Sequence, residues 1–100
     1  MTHFFHPEAE EEFVEAIRYY QAAKKGLGIR FDHEVRLSIQ KVVVDPLRWR
    51  ILEYDVRICR VAVFPYQTLY TIEPHHILIL AIMHIKRQPG YWRHRRIFHS

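Results

Sequence analysis

The apolar positions of the chain change their period twice, and the changes divide it into helices and strands. His3 to Phe5 is a short apolar stretch that reads as an opening strand stopped by Pro7. Behind Pro7, in PEAEEEFVEAIRYYQAAKK, the residues Ala9, Phe13, Ala16, Ile17, Tyr20 and Ala23 recur at helical spacing, with Glu8, Glu11, Glu12, Glu15 and Arg18 largely opposite. Pro7 suits the first helical position, where its missing N–H has no partner to lose, and the glutamates lie at the positive end of the helix dipole. KKGLG interrupts this helix. A second periodic segment carries Leu27, Phe31, Val35, Ile39 and Val42 on one side and ends at Asp45-Pro46. So short a link predicts an antiparallel helical hairpin.

After Pro46 the period falls to two. LRWRILEYD is irregular, and VRICRVAVF then alternates as a strand, with Ile58, Arg60, Ala62 and Phe64 on one face and Arg57, Cys59, Val61 and Val63 on the other. QTLYTIE is a second strand rich in β-branched and aromatic residues, and HILILAIMHI, apolar on both faces, is expected in the middle of a sheet. The expected architecture is therefore α+β. An N-terminal strand and a two-helix antiparallel hairpin pack on one face of a mostly antiparallel, three- to four-stranded sheet, followed by a short basic C-terminal segment. The second sheet face, beside that segment, is expected to be free.

Composition narrows the class. With 100 residues, 49% of them hydrophobic, there is room for one core, so residues 1–100 are read as a single domain. The lone Cys59 cannot form an intrachain disulfide and reads as a small apolar filler. No basic region leads into a long apolar one at the start, and the longest apolar run, ILILAIM, is far short of the roughly 20 residues that span a bilayer. A cytoplasmic chain without membrane contact is expected. His75-His76 and His3-x-x-His6 lack further ligands at metal-binding spacing, so neither a metal nor another cofactor is expected.

The net charge of +4 matters less than its distribution. Glu8, Glu10, Glu11, Glu12 and Glu15 cluster without a base and read as a solvated helix face, whereas the stretch from His84 to the end holds Lys86, Arg87, Arg93, Arg95 and Arg96 without an acid. Within it, HIKRQPGYWRHRR surrounds a Tyr91-Trp92 pair with cations, a mixture suited to holding a polyanion or an acidic partner. Pro89-Gly90 should turn the chain so that Tyr91 and Trp92 anchor it while Arg87, Arg93 and Arg95 face outward. Plainer readings stand beside these. His84 fits a hydrogen-bonded core residue, Tyr91 and Trp92 fit packing of the tail on the sheet, and Arg57 and Arg60 fit cross-strand partners of Glu53, Asp55 or Glu73.

FHPEAEEEFVEAIRYY, GLGIRFDHEV, Phe64-Pro65-Tyr66 and HIKRQPGYWRHR, in this order over nearly the whole chain, resemble the RelE/ParE family of bacterial toxins, in particular its ParE-like branch, the plasmid stabilisation proteins. The resemblance implies a toxin of a type II toxin-antitoxin system, neutralised by a cognate antitoxin whose disordered segment folds on contact. Phe13, Ile17, Tyr20, Phe31 and Val35 on the helical faces are the expected antitoxin contacts. Two chemistries occur in the family. In ribosome-dependent mRNA endonucleases, basic side chains hold the scissile phosphate while an acid and a base assist 2′-hydroxyl attack. If the chain is such an enzyme, Arg60, Arg87, Tyr91 and His84 are its catalytic candidates. Gln67 and Ile58 stand where that branch often has cations, and Trp92 belongs to the ParE-like signature. That second branch is associated with inhibiting DNA gyrase by binding, and Arg57, Arg60, Lys86, Arg87, Trp92, Arg93 and Arg95 are then the candidate target contacts. A degenerate toxin that persists as an antitoxin-binding module is the third possibility.

Overall fold

The computed structural model describes residues 1–99, with side chains through Arg96. Strand β1 (Thr2–Phe5) leads into helices α1 (Pro7–Ala23) and α2 (Leu27–Val44), then strands β2 (Arg50–Glu53), β3 (Val56–Arg60), β4 (Tyr66–Ile72) and β5 (His76–His84), and a 3-10 helix (Arg93–His99). Both helices have the expected positions. The buried His6 caps α1, its Nδ1 accepting the Glu8 N–H at 3.1 Å, and Pro7 takes the first turn. Across the link, Gln21 Oε1 accepts the N–H groups of Gly26 and Gly28. Gly28 lies so close to Ile17 O and Gln21 that a Cβ there would force the hairpin apart.

The α+β class is as expected, with five strands rather than three or four, in the order β1-β5-β4-β3-β2. Only β1 runs parallel to its neighbour, pairing with β5 from Thr2↔His76 to Phe5↔Ile79. The additional strand, β2, lies inside the stretch that reads as irregular and forms a hairpin with β3. Its alternation is broken by a register shift between Ile51 and Glu53, which hides the period of two. β3 is also shorter than its pattern suggests. It ends at Arg60, and the following loop puts Val63 at φ 74° and turns Phe64 onto the helical side.

A bulge in β5 settles which residues face which way. Leu69 pairs with Ala81 but Tyr70 with Ile79, leaving Leu80 as the extra residue. Leu80 and Ala81 therefore both face away from the helices, while Ile77, Ile79 and Ile82 face toward them. On the helical side Phe13, Phe31, Val35, Ile39, Cys59, Tyr70 and Ile79 form the main core, joined by a buried Ser38–Thr68 hydrogen bond of 2.9 Å. The second face is not free. Val56, Ile58, Leu69, Leu78 and Leu80 form a smaller core closed by Trp92, which is 1% exposed. A sheet whose second face is this apolar needs a cover, and the chain's own tail supplies it.

Candidate functional site

The tail is tied down at both ends by charges that look unrelated in the sequence. Arg95, 5% exposed, sends Nη1 to Glu12 Oε1 at 2.8 Å and Nη2 to Glu12 Oε2 at 3.1 Å. The same guanidinium donates to the Leu80 carbonyl, and Glu12 accepts both the Ile82 N–H and the Tyr91 hydroxyl. β1 pairs with β5 only as far as Ile79, so Glu12 and Arg95 satisfy the backbone that β1 leaves open. His94 binds Glu8 at 2.8 Å. On the other flank Arg93 grips Glu53 with two hydrogen bonds, and Arg96 meets Asp55 at 2.7 Å and lies over the Tyr54 ring. Glu12 is thus not part of a solvated face, Glu8 is paired at that face's margin, and Arg95 does not face outward. Burial, the hydrogen bond to Glu12 and its charge all push the Tyr91 phenol far up, so it stays protonated.

Several cations remain without a carboxylate partner among the described residues, Lys24, Lys25, Lys41 and Arg48 on and just after the helices and a second set near the sheet. Arg57 is held against the Leu47 and Trp49 carbonyls, at 3.1 and 2.7 Å, where it fixes the loop before β2. Arg50, Arg60, Lys86 and Arg87 have no carboxylate partner among the described residues, and all four are exposed. Three of them belong to one place. Arg50 stands opposite Ile58, and Arg60 opposite Gln67, which in turn pairs with Met83, so these side chains share the second face. Arg50, Ile58, Gln67, Met83, Arg87 and Trp92 line a groove of about 260 Å³ on that face. The Arg87 guanidinium lies 3.9 Å from the centre of the Tyr91 ring, which sets its direction.

Three of the four residues expected for nuclease chemistry, His84, Arg87 and Tyr91, line one cleft, and the fourth stands apart. Arg60 belongs to the second face. His84 lies on the helical side, ring to ring with Tyr66 at 5.1 Å, and its Nδ1 accepts the Lys86 N–H at 3.0 Å. His84 and Tyr91 line this larger cleft of about 530 Å³ between α1 and the tail, together with Glu11, Glu15 and Tyr19. Arg87 is on the rim of both. Within the groove, Glu53 is the carboxylate and it is engaged by Arg93, whose hydrogen bond holds its carboxyl below the usual range. Arg50 escapes the sequence pattern because β2 does, its two apolar residues standing side by side where the register shifts.

The expected antitoxin contacts divide in the same way. Phe13, Phe31 and Val35 are buried in the main core at 4%, 0% and 0% exposure and present no surface, while Ile17 and Tyr20 are half-buried at its margin. The accessible apolar surface on this side is instead a groove of about 370 Å³ between β1 and α2, lined by His3, Ile39, Val43 and Val44. β1 is the end strand, and its outer edge is unpaired among the described residues.

A five-stranded sheet with one parallel edge strand, a helical hairpin on one face and a basic tail on the other defines a small α+β protein. The family model for the ParE toxin of the type II toxin-antitoxin system parDE matches residues 4–89, and the chain belongs to that family. Among solved structures it is similar to the chromosomal ParDE toxin-antitoxin system from P. aeruginosa, with a TM-score of 0.71 and 15% identity, over 84% of this chain and 95% of the other. No curated protein matches. No helix among the described residues is long and apolar enough to cross a membrane.

Proposed function

We propose that the chain is the toxin of a type II pair that arrests growth in the cytoplasm by binding an essential target rather than by cutting RNA, with DNA gyrase as the family-suggested target. The observation that carries this reading is the division of the cations. Arg93, Arg95 and Arg96 hold the tail, while Arg50 and Arg87 line one groove without carboxylate partners and Arg60 stands beside it, opposite Gln67. Unpaired guanidinium groups gathered on one sheet face are suited to meeting a partner's acids. Cleavage of RNA would need an acid and a base beside the phosphate-holding arginines. Here the hydroxyl of Tyr91 is spent on Glu12, and of the two candidate arginines only Arg87 shares a cleft with His84, Arg60 lying on the opposite face. A cognate antitoxin would lie along the groove between β1 and α2, adding a strand to the open β1 edge, where Val44 is 84% exposed.

The test is induction of the chain alone and beside its neighbouring small reading frame. Growth arrest relieved by the neighbour is expected, with an SOS response and intact cellular mRNA by primer extension. Inhibition of supercoiling by purified gyrase should follow the same variants as toxicity. Abundant cuts at ribosomal A-site codons would overturn the binding reading.

A further inference from the structure

We propose that the second-face groove recognises an extended acidic segment of the target protein, one apolar side chain entering the groove while flanking carboxylates meet Arg50, Arg60 and Arg87. This rests on the binding reading above and gives it a ligand chemistry.

The groove's floor is apolar and its margin is cationic. Ile58 and Met83 lie in the floor with the buried face of Trp92, and Ile85 at the edge is 47% exposed. At about 260 Å³ the space suits a single large apolar side chain rather than a drug-sized ligand. Its far wall is rigid, because the Arg93 side chain is packed against Gly90 and pinned to Glu53 by two hydrogen bonds. Around this pocket the guanidinium groups of Arg50 and Arg87, with Arg60 one register position beyond, are directional donors that fit carboxylates in pairs. Gln67, between Arg60 and Met83, supplies an amide that can pair with a peptide backbone.

A nucleic acid suits the groove less well. Single strands are held by open aromatic planes interleaved with cations, and here both nearby rings are occupied. Trp92 is 1% exposed, and Tyr91 has Arg87 at 3.9 Å and Arg95 at 5.1 Å from its ring centre. The cations encircle an apolar pocket instead of tracking a backbone, which is the layout of a protein interface with an apolar centre and polar rim.

Fluorescence anisotropy with the purified full chain tests this. The probe is a fluorescein-labelled peptide in which glutamates flank one central leucine. It is compared with the same peptide carrying a central serine, a version with lysines for glutamates, and an oligothymidylate of equal charge. The leucine peptide should bind at least about tenfold more tightly than the serine one, and added salt should weaken it. Arg60→Ala and Arg87→Ala should each lower its affinity by about tenfold, and Lys25→Ala should not. Equal binding of the serine peptide, tighter binding of the oligothymidylate, or unchanged affinity in the two arginine variants would overturn the proposal. Growth inhibition by the same variants separates it from the broader reading. Variants that lose toxicity, from a parent that does not bind the peptide, overturn the acidic segment alone. Peptide binding by a parent whose arginine variants remain fully toxic upholds the groove's ligand and overturns its role in toxicity.

Discussion

Glu12 on the second turn of α1 and Arg95 in the tail, 83 positions apart, form a bidentate pair that closes the open stretch of β5. Both side chains are largely buried, at 15% and 5% exposure. The pair therefore joins the first helix, strand β5 and the end of the chain in one network, and the network orients the surface on which Arg87 sits.

Removing one partner should cost more than removing both. Arg95→Met leaves the Glu12 carboxylate buried with only the Tyr91 hydroxyl and the Ile82 N–H, and should lower stability by about 3 kcal/mol. The double variant with Glu12→Met should recover part of the loss, because no charge is then stranded. Urea denaturation of the parent, the two single variants and the double variant measures both numbers. A double variant whose loss equals the sum of the two single losses would show that the pair is not a coupled unit.

Acid should loosen the tail before it unfolds the core. The hydrogen bond from His94 is the main cause that holds the Glu8 carboxyl below 4.5, and the hydrogen bond from Arg93 does the same for Glu53. A carboxyl with a depressed folded-state pKa contributes stability that is complete above its unfolded value and is lost as pH falls through the folded one. The urea midpoint should thus be flat from neutrality down to about pH 5 and fall below the ordinary carboxylate value. Arg93→Ala should flatten the fall. A midpoint that does not move across the acid range would show that these two pairs contribute nothing.

Strain is localised in the loop after β3. Val63 has φ 74° and is 70% exposed, a left-handed conformation that a β-branched residue rarely adopts. Val63→Gly should raise stability by about 1 kcal/mol, the relief of strain exceeding the entropy that glycine loses. Thermal melting checks the sign. A lower melting temperature would mean that the valine side chain makes a contact worth more than its strain.

Much of the fold is legible because its periods are clean. The two helices follow from Phe13, Ile17 and Tyr20 and from Phe31, Val35 and Ile39 at helical spacing, and the family resemblance points to the same order of elements. The sheet is less legible where two causes hide the period. In β5 every position from Ile77 to Met83 is apolar, so the bulge at Leu80 leaves no polar residue on the wrong face to reveal it. In β2 the register shift breaks the alternation of a strand only four residues long. The site is half legible for a related reason. Arg60 and Arg87 stand out as cations on a strand and a turn. The pairing of Glu8 and Glu12 with the tail is a contact across 83 or more positions, and the sequence shows it only as two blocks of opposite charge.

Anchoring and recognition should separate in two single variants. Trp92 closes the second-face core and touches solvent over 1% of its surface, so Trp92→Ala opens a cavity above Ile58, Leu69 and Leu80 and should cost about 3 kcal/mol or more. Toxicity should fall with it, because the tail that positions Tyr91, and through it Arg87, is no longer docked. Arg87 is exposed and its stacking on Tyr91 is partly solvated, so Arg87→Ala should change stability by less than about 1 kcal/mol. Its toxicity should nevertheless drop at least about tenfold in the inducer level required for arrest, since a guanidinium facing a target carboxylate contributes far more in a complex than on a free surface. Urea denaturation and growth curves on the two proteins give the comparison. A folded Arg87→Ala chain as toxic as its parent would move the target surface away from the groove, toward the acidic cleft between α1 and the tail.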